Sequence, residues 1–360
     1  GLGGRSPDVT WTPAYAGQAS DDAVPAWSTS PLPAGGTRPG YMAGAYLPDY
    51  WSPTFATLSA PVFDRLRARG IGWVALSSVW SYGRLQPVPT LEPRPRLAWS
   101  VATPREELRA QAALARARGL DVVLAPQWNM ELSPGGMDAL VAPKSAAWWD
   151  AWLAEAERFW LWNASLAEEL HAGALLLPGP VFHVYFGPGA YGSPDDERAF
   201  DARVRALVAK VRAVYHGKLI ISGGVTSFDF PGDADLVGFT TFDLGRPDLP
   251  PDATVEQWAA AYEQRFVERV DPLHARWGKP VFAYTVHASR DERDPDPSGE
   301  VAQARQLEAI MRAIAARPWI AGSLAWGYTM IDAPAIPSDG VRGRTAEAIL
   351  VRDYRALTGS

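Results

Sequence analysis

Leu66-Arg67-Ala68-Arg69-Gly70-Ile71-Gly72-Trp73-Val74-Ala75-Leu76 carries a helical pattern into a glycine and then into a short apolar run. Ala117-Arg118-Gly119-Leu120-Asp121-Val122-Val123-Leu124-Ala125-Pro126 does the same about fifty residues later. A glycine ends a helix well because it adopts left-handed backbone at little cost. A run of four to six apolar residues after it is too short for a helix and suits a strand buried on both faces. The unit is therefore helix, tight turn, strand, and it recurs.

Working outward, short apolar runs fall at Tyr41–Tyr46, Trp73–Ser77, Val122–Ala125, Ala174–Leu177, Leu219–Ser222, Leu236–Thr240, Val281–Tyr284 and Ile320–Trp326. Helical patterns separate them: Ala56–Arg69, a helix opened by Pro104 and closed by Gly119, Ala146–His171, one from a Ser193 cap to His216, Thr254–Trp277, Gly299–Ala316 and Thr345–Leu357. The segment after the fifth strand is short, so its helix is expected to be reduced. Eight strands alternating with helices predict a single α/β domain, a (β/α)8 TIM barrel. An open doubly wound sheet is the alternative, but no glycine-rich phosphate loop follows the first strand. Residues 1–38, rich in Gly, Pro and Ser, read as an irregular N-terminal tail anchored by Trp11 and Trp27, and 39–360 as the barrel domain.

Loops leading into strands are short, as at Arg118–Asp121 and His216–Lys218. Loops leaving strands are long, at Pro126–Ser145, Pro178–Ser193, Phe242–Ala253, Val286–Ser298 and Gly327–Arg342. Long loops in a compact domain usually serve function, and barrels place their sites where these loops cluster.

Composition narrows the function. The 360 residues are 47% hydrophobic and 21% charged, with a formal charge of −6 and no basic run, which argues against a nucleic-acid partner. The absence of cysteine excludes disulfides, thiolate zinc sites and cysteine nucleophiles. No apolar run is long enough to span a bilayer. Gly1 in place of methionine fits a removed signal peptide or a trimmed tag, so the expected location is extracellular or periplasmic, with the cytoplasm as alternative. Sixteen tryptophans stand out. Their flat faces suit core packing first, and the C–H faces of sugar rings second.

Several stretches resemble glycoside hydrolase family 113, the β-mannanase-like barrels. They are the two quoted junctions, Val79-Trp80-Ser81-Tyr82, Lys279-Pro280-Val281-Phe282, Pro318-Trp319-Ile320-Ala321-Gly322-Ser323-Leu324-Ala325-Trp326 and Gly343-Arg344-Thr345-Ala346-Glu347-Ala348-Ile349-Leu350. The similarity runs from about residue 41 to 355. It implies a retaining glycosidase barrel acting on β-mannosides, with an acid/base glutamate ending strand four and a nucleophilic glutamate ending strand seven, about 5 Å apart. The fourth strand here reads Ala174-Leu175-Leu176-Leu177-Pro178-Gly179-Pro180-Val181-Phe182-His183, and no carboxylate occurs between Glu169 and Asp195. The seventh reads Val281-Phe282-Ala283-Tyr284-Thr285-Val286-His287, with Thr285 where the nucleophile would stand. Asp291 and Glu292 lie further along, in a run that reads as a solvated charged loop. The resemblance thus implies the family's fold without its usual mechanism.

The candidate catalytic residues are Glu131, Asp243, His183 and His287. Glu131 closes the cluster Gln127-Trp128-Asn129-Met130-Glu131, a set suited to reading hydroxyls, and serves as acid or base if burial raises its pKa. Asp243 contacts substrate or orients a neighbour, or else only caps its loop. His183 and His287 lie near the two strand ends that lack glutamate. The candidate substrate-binding residues are Asp49, Trp80, Tyr82, Gln127, Trp128, Asn129, Tyr185, Tyr284 and Trp326. Trp80 and Tyr82 suit a stacking wall or packing beneath a loop. By the resemblance, Trp326 floors the innermost sugar site. No metal and no cofactor are expected, because the histidines share no ligand motif.

Three readings follow. One is a glycoside hydrolase with relocated acids such as Glu131 and Asp243, in an inverting arrangement 6.5–9.5 Å apart. The second is a non-catalytic glycan-binding protein on the same barrel. The third is another barrel chemistry using His183, His287 and an acid, with or without metal. The expected partner is an oligo- or polysaccharide, and the oligomeric state stays open.

Overall fold

In the computed structural model, the described residues are 23–28, 36–47, 55–84, 87–92, 105–129, 144–179, 194–222, 232–289, 299–328 and 340–360. Eight of the strands close a barrel. They are β1 (Met42–Tyr46), β2 (Trp73–Leu76), β5 (Asp121–Leu124), β7 (Ala174–Pro178), β8 (Lys218–Ser222), β9 (Leu236–Thr240), β10 (Val281–Val286) and β11 (Ile320–Ala325). All neighbours run parallel, and β1 meets β11 with Met42 opposite Gly322 and Ala45 opposite Ala325. Each strand coincides with an apolar run within about two residues, because parallel strands must be apolar on both faces.

The two faces divide the core by the two-residue period of a strand. Met42, Tyr46, Ala75, Val123, Leu176, Ile220, Phe282 and Leu324 point inward and fill the barrel. Val74, Val122, Leu124, Leu175, Leu219 and Ile221 point outward, into a second core shared with the helices. At the closing seam, a Cβ on Gly322 would sit 2.5 Å from the Met42 Cβ and 2.8 Å from the Met42 carbonyl oxygen. The missing side chain leaves that interior space to Phe282, whose ring such a Cβ would also meet at 2.7 Å.

The helices are α1 (Ala56–Ala68), α2 (Arg105–Ala117), α3 (Ala146–Glu169), α4 (Pro194–Val214), α5 (Thr241–Leu244), α6 (Val255–Arg269), α7 (Asp271–Trp277), α8 (Glu300–Ala315) and α9 (Thr345–Thr358). The Ser145 hydroxyl caps α3 by accepting from the Trp148 amide, and Thr254 with Gln257 forms a capping box on α6. The expected single helix Thr254–Trp277 is two. It breaks at Val270, because Pro272 lacks the amide needed to continue and instead fits the first turn of α7.

A second difference lies at the rim. β3 (Val79–Arg84), β4 (Thr90–Glu92) and β6 (Gln127–Asn129) form a small sheet, β3 parallel to β6 and antiparallel to β4. Gln127, Trp128 and Asn129 thus begin a strand, not the irregular loop that the long run to Ser145 implied. Between β8 and β9 the described residues contain no helix, and 223–231 lie outside them.

Candidate functional site

Because the barrel strands are parallel, their C-terminal ends share one mouth. Tyr46, Ser222, Thr240, Tyr284 and Trp326 end five of them or stand beside those ends, and Gln127 joins from the rim sheet. At the centre the Tyr46 and Trp326 rings tilt against each other at 4.9 Å, and both are buried. Gln127 Nε2 donates to the Tyr46 hydroxyl, and the Ser222 hydroxyl donates to Tyr284 Oη at 2.9 Å. Burial holds the Tyr284 phenol well above its ordinary pKa, with the charge of Asp243 adding to the rise, so it stays a neutral hydrogen-bonding group.

The β9–β10 side is held by three threonines. Thr240 and Thr285 share a hydrogen bond between their hydroxyls. Thr241 Oγ1 donates to the Thr285 carbonyl at 2.8 Å and accepts from the His287 amide at 2.9 Å. The Thr285 hydroxyl is therefore tied into the strand pair and nearly fully buried, at 4% exposure.

Thr240 caps α5, the one-turn helix that lifts Phe242 and Asp243 onto the mouth. Phe242 is 45% exposed. Its ring stacks on His287 at 3.9 Å and meets Trp326 edge-on at 5.6 Å. His287 Nε2 lies 3.1 Å from Ser289 Oγ. Asp243 is partly buried, and burial pushes its carboxyl up to about 6 against the opposing pull of Arg269. The Arg269 guanidinium is itself fixed by donating to the Asp243 carbonyl at 2.5 Å.

Of the sequence candidates, the structure thus gathers Gln127, Asp243, Tyr284, His287 and Trp326 around one mouth. Trp326 is 3% exposed and packs against the Tyr46 and Phe242 rings. Trp80 takes the packing alternative. It is 2% exposed, edge-on to Phe159 at 5.3 Å and to Trp162 at 5.6 Å, with the Arg158 guanidinium over it. It faces α3 and forms no stacking wall. Tyr82, Trp128 and Asn129 have their backbones placed in the rim sheet. Asp49, Glu131, His183 and Tyr185 lie outside the described residues. Among the described residues, no three His, Asp or Glu side chains converge as a metal site.

Sequence reasoning missed Phe242. It passed over the residue in Phe239-Thr240-Thr241-Phe242-Asp243 in favour of the aspartate. The available signal was an aromatic directly after a strand end, where a core position had already been filled by Phe239.

No family model matches the sequence, and no curated protein matches it. Solved structures do. A family 113 β-mannanase from Alicyclobacillus acidocaldarius superposes with a TM-score of 0.66 at 20% identity, covering 88% of this chain and 98% of the other. A complex of a family 113 β-1,4-mannanase gives 0.65 at 18% identity, covering 88% and 99%. A broad-specificity endoglucanase of family 5 from an uncultured bacterium gives 0.56 at 12% identity, covering 89% and 94%. The chain shares the (β/α)8 barrel fold of these structures. At these identities the likeness is one of fold alone.

Proposed function

We propose that this protein binds a saccharide chain across the C-terminal mouth of its barrel. The observation that carries the reading is Phe242, a large apolar ring left 45% exposed and braced by His287 and Trp326 among hydrogen-bonding groups. An exposed flat ring beside polar side chains is the arrangement a sugar requires, one face for C–H stacking and an edge for hydroxyls. Gln127, Ser222, Tyr284 and Asp243 supply donors and acceptors around it. Structures that share this fold include mannanases and an endoglucanase, which makes manno- and gluco-oligosaccharides the first ligands to try.

Hydrolysis is a second reading, favoured by one observation. A carboxyl group with a pKa near 6 holds a proton in mildly acid solution, as a general acid must. Asp243 would protonate the leaving oxygen, and an inverting displacement would need a second carboxylate to activate water, the part the sequence offers to Glu131.

Native mass spectrometry with manno-, gluco-, xylo- and galacto-oligosaccharides tests both readings. Bound intact sugar is expected, weakened about tenfold in Phe242→Ala, or about 1.4 kcal/mol. Binding that ignores this substitution would remove the ring from the site. Shortened products that vanish in Asp243→Asn, with binding retained, would establish the second reading. No complex with any sugar would overturn both.

A further inference from the structure

Away from the mouth, the helical shell buries two carboxylates. Glu308 on α8 and Asp353 on α9 are 0% and 1% exposed. Two guanidiniums compensate them. Arg352 pairs with Asp353 at 2.8 Å and approaches Glu308 at 3.8 Å, and Arg312 pairs with Glu308. The cluster is closed from outside by a piece of the N-terminal segment. Ser28 donates its hydroxyl to Glu308 and accepts from Arg352 at 2.7 Å. Its amide donates to the Pro25 carbonyl in a turn, Val24 and Trp27 pack on the core, and the Arg305 guanidinium lies over the Trp27 ring.

We propose that residues 24–28 form a pH-sensitive strap, closed over the Glu308–Asp353 pair in mildly acid solution and loosened as the pH rises. Like charges so close to each other and so far from water are costly, and the cost falls when one of them takes a proton. Asp353 is the one to do so. Burial pushes it up to about 6, and the charge of Glu308 raises it further while Arg352 and Arg312 oppose. One of its oxygens, Oδ2, has no hydrogen-bond partner among the described residues.

The other groups facing the cluster do not reverse the sign. Tyr41 keeps its proton, because burial holds it far above its ordinary pKa. Glu256 of α6 reaches only Arg312, at 4.0 Å, and competes for the cation that neutralises Glu308. Above pH 6 Asp353 is therefore charged, and lifting the strap admits water to the cluster. Below it Asp353 is neutral, Arg352 turns to Glu308 and Ser28, and closure is favoured. A group with a raised folded pKa favours the closed form at low pH and opposes it as pH passes through that value.

Hydrogen–deuterium exchange of the full chain tests this, with rates corrected for intrinsic pH dependence. The amide of Ser28, which closes the turn onto the Pro25 carbonyl, is expected to be about tenfold better protected at pH 5 than at pH 8. Asp353→Asn should be protected equally at both. Equal protection in the unaltered chain, or an undiminished pH effect in Asp353→Asn, would overturn the proposal. Should Asp353→Asn fail to fold, Ser28→Ala decides. It leaves the acid pair intact and should lose protection at pH 5, whereas full protection there would sink the strap.

Discussion

Phe242 and Asp243 are neighbours in one helical turn, yet they answer to different physics. The ring is exposed because Trp326 and Tyr46 already fill the space beneath it. The carboxyl is only partly wet, so its charged form is disfavoured. That sets a sign for stability. An unfolded chain releases this proton near pH 4, the folded one near pH 6, so the charged aspartate destabilises the fold progressively across that window and fully above it. Asp243→Asn should therefore be more stable than the parent at pH 7.5, by about 1–2 kcal/mol after allowing for partial solvent screening. Thermal melts should show the gap closing as the pH falls to 4. A gap that persists at pH 4 would mean that the side chain is held by something other than desolvation. At this scale the sequence was partly legible. Residue type and a place after a strand end pointed to Asp243, Tyr284 and His287, but burial of Trp80 and exposure of Phe242 are decided by which neighbours fill the remaining volume.

The strands were the most legible elements, since a fully apolar run between glycine-closed helices has few other uses. The rim sheet was not. Val79-Trp80-Ser81 and Gln127-Trp128-Asn129 pair with each other across almost fifty residues, and neither alternates clearly enough alone to announce a strand. The split between α6 and α7 has its signal in Pro272, which the helical period on either side of it masks. One element carries a sharp expectation of its own. The β1–β11 seam has no room at Gly322, where an added methyl would press on the backbone of Met42. Gly322→Ala should cost about 1–3 kcal/mol through overpacking, read as a lower urea midpoint. A midpoint unchanged from the parent would show that the two strands can part without penalty.

At the scale of the whole molecule, the first and last units are locked by Glu347. This buried carboxylate takes Arg65 at 2.7 Å, Arg69 at 3.4 Å, the Tyr328 hydroxyl at 2.6 Å and the Gly343 amide at 2.6 Å. It ties α1, the segment leaving β11 and α9 together. Glu347→Ala strands two guanidiniums in the shell and should destabilise the protein by about 3–5 kcal/mol, far more than loss of an exposed ion pair. Calorimetry would report the drop, and a loss under about 1 kcal/mol would mean that water replaces the carboxylate.

The seam that this lock guards also orders events in time. Met42 pairs with Gly322, so β1 waits for a partner made 280 residues later (322 − 42). At a ribosomal pace of about 5–20 residues per second, that is roughly 15–60 s during which a nascent strand edge has no final neighbour. The cell must shelter that edge, or tolerate the half-built sheet, until the last strand emerges from the exit tunnel.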